Sequence, residues 1–318
     1  MYGHHVVDDF NALIQKQMKD ETYLNAVKSA VDGIKQAQHF FLGSYQELIQ
    51  PLGSFVEEQK ETQVFLGSSS KYVRLPYKSC WFEFEDKSFT VGETMSVPKR
   101  GLLVDELDED LLRVVIVNWV EQWKRWVLSP QNYLVLVGRT FGDDLERIGK
   151  KVAAAAVNRG ASPAVVSLLM RSNTYPMSAS DKQLPWDTAL ECRADDQRDL
   201  YVLNAALLLL NCKNIETEDN QPPPKLNRKR SKNGKQELFI YKTLVLRLPS
   251  NRKVPHGNDN VNDNDKTRIH LCRGHFKIFT EDAPLFGRYT GLYWWDPHVR
   301  GDKKKGLVVK DYVVKTDP

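Results

Sequence analysis

The chain has 318 residues, 41% of them hydrophobic and 27% charged, enough for two domains or one elaborated domain with a sizeable core. No apolar run approaches the roughly 18 residues a membrane span needs, so no membrane partner is expected; Leu203–Leu210 comes nearest and reads as a buried helix. The formal net charge is only +4, but from Lys225 onward there are 21 Lys/Arg and 10 Asp/Glu, net +11, whereas the preceding residues carry 24 against 31, net −7.

That asymmetry is the one expected when one end of a chain meets a polyanion, and it makes nucleic acid the expected partner. The first residues lack a basic region followed by an apolar core, so no secretory signal is expected. The four cysteines, Cys80, Cys192, Cys212 and Cys272, are scattered, which fits a reducing cytoplasm better than a disulfide framework.

Residues 8–50 read as helical. Asp8 or Asp9 is placed to cap the start, because a short carboxylate accepts the free amides of a first turn. Phe10, Leu13 and Ile14, then Val27, Ala30, Val31 and Ile34, follow at helical spacing, and Pro51-Leu-Gly ends the stretch. Residues 72–141 read as strand-rich. Cys80, Phe82 and Phe84 alternate with Glu83 and Glu85, the pattern of a half-buried strand. Val114–Val117 suits a central strand or a buried helix, and Trp119, Trp123 and Trp126 at helical spacing favour helix in that half, with the indoles in the core. The adjacent carboxylates of Gly138–Asp144 read as a helix cap rather than a Mg²⁺ site. Residues 143–213 return to helix, with Ser162-Pro163 as a cap and Asp199–Cys212 as the apolar centre of the larger core.

Asn214–Pro224 is a polar, proline-rich break. Lys225–Lys235 then holds six positive charges in eleven residues, Lys225, Arg228, Lys229, Arg230, Lys232 and Lys235, which read as a mobile linker or a polyanion-binding arm, the arm favoured. The remainder reads as β. Leu238, Ile240, Leu244, Leu246 and Leu248 share a face, and the polar run Asn258–Asp265 reads as a loop. The apolar face switches parity between Ile269/Leu271 and Phe276/Ile278, which predicts a bulge at Arg273-Gly274. Tyr293-Trp-Trp and Leu307–Val314 supply further strands. The expected fold class is therefore α+β: a mixed domain over 1–215, a basic arm or linker over 216–236, and a small basic β-rich domain over 237–318.

Leu210–Asn214, Lys225–Lys235, Tyr241–Leu244, Arg273–His275 and the Gly301…Lys310-Asp-Tyr312 ending together resemble a family of uncharacterised proteins from tailed bacteriophages and prophages, with weaker similarity over Leu75–Phe84. The resemblance covers about a third of the chain. It implies viral origin and action inside the host cell, lends no catalytic residue, and weighs against an idle basic linker.

The densest chemistry lies in His270–Lys277 and Leu285–Gly301. Nucleic-acid binding draws charge from the basic run, Arg273, Lys277, Arg288, Arg300, Lys303, Lys304 and Lys305, and stacking from Tyr293, Trp294 and Trp295, of which alternation turns at least one toward the core. Single-stranded nucleic acid or structured RNA is favoured, because no duplex-reading helix motif is present. A second reading is a metal-independent ribonuclease-like toxin, with His275 and His298 as the acid–base pair and Arg273 and Arg300 on phosphate. A third is a zinc site at His270, Cys272 and His275, completed by Cys212 or His298, but short paired Cys motifs are missing and neither metal nor cofactor is expected. A fourth is a factor that binds and inhibits a host protein. Phosphate-binding loops, nucleophile elbows and His-Glu-x-x-His are absent.

Overall fold

The computed structural model describes residues 1–16, 20–45, 48, 73–91, 95–108, 111–137, 150, 154, 174–178, 186–246, 268–272, 275–295, 298–300 and 302–307; for 174–178, 186–195, 197, 246, 268–272, 298–300 and 302–307 it describes backbone alone. The Gly138–Asp144 carboxylates, the Ser162-Pro163 cap, the 258–265 loop and the Arg273-Gly274 bulge lie outside the described residues.

The fold class is α+β. Two helices open the chain, α1 (Gly3–Gln15) and α2 (Glu21–Gln36). Strands follow: β1 (Gln38–Ser44), β2 (Ser79–Glu85), the short β3 (Thr90–Val91) and β4 (Met95–Ser96), β5 (Lys99–Asp108), β6 (Leu111–Val120), β7 (Arg125–Leu136) and β8 (Thr174–Ser178). Then come α3 (Trp186–Leu210), β9 (Ile215–Asn220), α4 (Pro224–Lys232) and β10 (Tyr241–Leu246). The chain continues through β11 (Arg268–Cys272), β12 (His275–Phe279), β13 (Gly291–Trp295), β14 (His298–Arg300) and β15 (Asp302–Leu307).

Eight strands form one sheet in the order β8-β7-β6-β5-β2-β1-β10-β9. β1 runs parallel to both β2 and β10, and the other pairings are antiparallel. The sheet has a helical layer on each face. The stripe Val27, Ala30, Val31, Ile34 of α2, with Val6, Val7 and Phe10 of α1, buries against Trp81, Leu103, Val117, Trp126 and Leu128. The opposite face, including Phe40, Phe82, Phe84, Leu102, Val104 and Ile116, buries against Val202, Leu203, Ala206 and Leu207 of α3. Each fully buried aliphatic side chain contributes about 1.5–3 kcal/mol relative to exposure.

Four expectations are corrected by this arrangement. Helix gives way to strand at Gln38, and α1 starts at Gly3 rather than at Asp8. Its first amides donate to the Glu83 carboxylate (Tyr2 N at 2.6 Å, and Gly3 N), so a distant strand residue does the capping that a local Asp was expected to do. β2 is buried on both faces, because α1 and α2 cover the side that alternation assigned to solvent. Trp119 and Trp126 are strand partners across the β6–β7 turn, their rings edge to face at 5.7 Å; their spacing mimics a helix, but the β-branched run Val114–Val117 decides for strand. Only Trp126 of that trio is fully buried, and Trp123 at the turn is half exposed.

The large sheet also crosses the expected 215/216 boundary. β9 and β10 are its last two strands, and β10 lies inside it, between β1 and β9. The span expected to be a basic arm or linker, 216–236, contains most of β9 and the helix α4. Gly101 in β5 faces the indole of Trp81, where a Cβ would lie 2.1 Å from Cη2, so no larger residue fits beside that ring.

Candidate nucleic-acid interface

α4 begins after Pro223 with Pro224 in its first turn, where a missing N–H costs nothing. Its basic residues are sorted by the helical period. Lys225, Arg228, Lys229 and Lys232, at i, i+3, i+4 and i+7, lie along one face, and all four are exposed, as is Lys235 beyond the end. Arg230 points the other way. It donates to Asp8 Oδ2 at 2.5 Å and from Nε to the Gln236 carbonyl at 2.6 Å, while Gln236 N donates to Asp8 Oδ1 at 2.7 Å. Asn227 makes a second tie, accepting from Leu238 N at 2.8 Å. Arg230, read from sequence as a phosphate ligand, is thus an anchor that holds the helix to α1. The cations of the last turn, Lys229, Arg230 and Lys232, also sit favourably at the negative end of the helix dipole.

β12 and β13 form an antiparallel pair with His275 opposite Trp295, Lys277 opposite Tyr293 and Phe279 opposite Gly291. The even-numbered face, Phe276, Ile278, Leu292 and Trp294, packs against the α3-side core. The hairpin is tied to the end of α3 by Lys213 N donating to the Leu292 carbonyl at 2.9 Å. Asn214 pairs with the backbone of Trp294 in both directions, accepting at 3.0 Å and donating at 2.7 Å. Trp294 is 5% exposed with its ring 4.8 Å from Phe276, so it belongs to the core and not to a stacking surface.

The odd-numbered face is an aromatic platform. Trp295 and Tyr293 are half-buried, their centroids 6.1 Å apart, and Phe279 beneath them lies 5.6 Å from Tyr293 and 5.7 Å from Trp295. Lys277, exposed, holds its ammonium 4.9 Å from the Phe279 ring and 6.0 Å from Trp295. His275, also exposed, stacks 6.5 Å from Trp295. Partial burial pushes the Tyr293 phenol up from its ordinary value, so it remains a neutral hydroxyl. Phe279 was missed from sequence, although its parity with Lys277 was the available signal. At the hairpin tip Arg288 lies 4.4 Å over the ring of Tyr289.

The two histidines read as an acid–base pair are not on paired strands. His275 is in β12, against β13, whereas His298 is in β14, whose partner is β11, with Cys272 opposite His298 and His270 opposite Arg300. Arg273 lies outside the described residues, and for His298, Arg300, Lys303, Lys304 and Lys305 only strand backbone is described. Among the described residues no group of three His, Cys, Asp or Glu side chains is arranged to hold a metal ion.

Among the described residues the most perturbed ionisable groups lie inside the fold. Arg100 and Asp199 pair between β5 and α3, 1% and 0% exposed, with the guanidinium stacked 3.6 Å from the Phe89 ring. Arg198 bonds Asp86 at 2.7 Å, and Asp196 accepts from Tyr133 (2.7 Å) and Ser129 (3.1 Å). Burial pushes the Asp199 carboxyl up against the pull of Arg100. Under α1, burial pushes Glu83 up to about 7, opposed by its bonds from Trp81 and Gly3. Burial lowers His39 to about 4 and His4 to about 3. The His39 Nε2 lies 2.8 Å from the Ile34 carbonyl, which only accepts, so Nε2 carries the ring proton. Hydrogen bonds of Glu83, Arg100, Asp196 and Arg198 join separate segments of the fold, which gives these four residues a structural role.

The chain matches no family model, no curated protein and no solved structure.

Proposed function

We propose that this protein binds single-stranded nucleic acid, or the unpaired segments of structured RNA, with bases stacking on the β12–β13 platform and phosphates held by Lys277, Arg288 and the exposed face of α4. The observation that carries the reading is the sorting of the hairpin: four apolar side chains turn inward, while Trp295, Tyr293, Lys277 and His275 turn outward together. Solvent-facing rings rimmed by cations suit unpaired bases, because every base offers a π-face and every nucleotide a charge. α4 supports it with four cations on one face and no buried residue of its own.

The two elements are anchored to different layers, α4 to α1 and the hairpin to α3. Between β10 and solvent lies β9, whose exposed Glu216 and Glu218 repel a phosphate backbone. In this proposal the platform is the base-contacting site and α4 a separate phosphate site. The proposed setting is a bacteriophage or prophage protein acting in the host cytoplasm, on nucleic acid or on a host complex that handles it. Cys80 and Cys212 support that compartment as buried free thiols, which burial pushes up to about 12. The test is fluorescence anisotropy with labelled 16-nucleotide RNA and DNA single strands and the matching duplexes. Preference for single strands, lost in Trp295→Ala, is the expected result; equal binding of duplex, or none at low salt, overturns it.

A further inference from the structure

The loop between β12 and β13 closes on itself. Leu285 N donates to the Tyr289 carbonyl at 2.7 Å, Tyr289 N returns a bond to the Leu285 carbonyl at 3.0 Å, and Arg288 N and Gly287 N add bonds to Leu285 and Pro284 carbonyls at 3.2 Å each. The tip is thus held in one shape. At its apex Phe286 has φ 52° and Gly287 φ 74°, both left-handed. Glycine suits that region and Asn or Asp tolerates it, but a bulky side chain there is strained. Phe286 is nevertheless 79% exposed, so no burial offsets the strain. A Cβ added at Gly287 would meet nothing within 4 Å, so the apex stands clear of the body.

The rings of the platform lie against one another, whereas Phe286 has no ring contact among the described residues and is exposed. Two and three residues further along the chain come a cation and a second ring, Arg288 over Tyr289, itself 42% exposed. An exposed ring on a strained, hydrogen-bonded turn, two residues from a cation, has the chemistry of a wedge between bases, with the cation on the adjoining phosphate. Inserting a ring between unpaired neighbours costs only their stacking, whereas a duplex must also distort its base pairs. We propose that Phe286 intercalates between consecutive unpaired bases of a strand lying along the β12–β13 hairpin, and so contributes to single-strand preference; this rests on the nucleic-acid reading of the platform.

The test compares Phe286→Gly, Phe286→Leu and Phe286→Trp with wild type, by anisotropy on a 16-nucleotide single strand and by thermal melting. Phe286→Gly relieves the backbone, so its melting temperature is expected to equal or exceed that of wild type. Its affinity is expected to fall on the order of 10-fold, the scale of one lost base stack. Phe286→Leu should bind as weakly as Gly, and Phe286→Trp should restore binding. An unchanged affinity in Phe286→Gly, or full affinity in Phe286→Leu, overturns the wedge while leaving the platform reading in place. A wild type that binds no single strand overturns both, and lost affinity accompanied by a lower melting temperature in Phe286→Gly assigns the residue to folding and overturns the wedge alone.

Discussion

Arg100 and Asp199 form an ion pair sealed between the sheet and α3, with the Arg100 Nε and Nη2 and the Asp199 Oδ1 having no hydrogen-bond partner among the described residues. The pair is geometrically close but incompletely satisfied, and that decides how it responds to substitution. Removing one partner strands the other's charge in the core. Asp199→Ala is expected to cost about 3–5 kcal/mol, whereas Arg100→Met with Asp199→Leu together should cost far less. Urea denaturation of Asp199→Ala and of the double variant measures the difference; equal losses would show that the pair itself, rather than its desolvation, carries the stability.

Acid should act on the fold through His39. Its folded value of about 4 lies below the ordinary 6.5, so the unfolded chain binds the proton first. Stability from this residue is complete above pH 6.5 and is lost as pH falls toward 4, at about 1.4 kcal/mol per unit. Glu83 runs the other way. Its folded value of about 7 exceeds the ordinary 4.5, so its contribution is present below 4.5 and is lost as pH rises toward 7. Asp199, also raised, has the same sign as Glu83, and His4, also lowered, the same sign as His39. The opposing slopes flatten the wild-type profile between pH 4.5 and 6.5. Relative to wild type, His39→Gln should gain stability as pH falls through that window and Glu83→Gln should gain as it rises, both read from chemical denaturation at stepped pH.

The basic face of α4 should be separable from its anchor. Replacing Lys225, Arg228, Lys229 and Lys232 together by Ala should lower the salt slope of single-strand binding by roughly 3, at about 0.7 per phosphate contact, with little change in melting temperature. Arg230→Ala should do the reverse, destabilising the α1–α4 junction with a smaller effect on the slope. Titrations between about 50 and 200 mM salt, where counterion release changes affinity most visibly, check both.

Adjacent tryptophans should behave oppositely. Trp294→Ala removes a core ring and is expected to cost about 3–5 kcal/mol of stability. Trp295→Ala should leave most of the stability and weaken single-strand binding by roughly 5- to 100-fold, the range of base–aromatic stacking. Parallel melting and anisotropy on the two variants check this, and equal binding losses would place both rings in the same role.

What the sequence disclosed, and what it hid, follows from the reach of each signal. The α2 stripe and the inward residues of β2 were legible because period 3.6 and period 2 are local. The β6–β7 hairpin was ambiguous because Trp119, Trp123 and Trp126 recur at helical spacing although a turn separates the first from the last, and only the strand pairing brings Trp119 opposite Trp126. Glu83 and Arg100 were invisible as core groups because their partners are 80 and 99 residues away. The outward half of the hairpin was partly legible: alternation showed that the Trp pair must split, but not which ring faces out, since that depends on docking to Asn214. The expected boundary near 215 followed a real break in composition, and strand pairing beyond it is a long-range matter that composition does not carry.

The position of β10 has a consequence for how this chain reaches its fold. His39–Phe41 of β1 align with Tyr241–Thr243 of β10, so the β9 side of the sheet joins segments about 200 residues apart. Until β10 arrives, the β1 flank is a bare edge offering unpaired backbone amides and carbonyls to any neighbouring chain. Closing so long a loop is slow relative to forming the β5–β6–β7 meander. During synthesis the first half must therefore wait with that edge open, and a fragment ending near residue 215 would keep it open permanently and tend to self-associate through it. β9 closes the finished sheet with exposed Glu216, Glu218 and Asp219, a charged border that discourages the same kind of addition once β10 is in place.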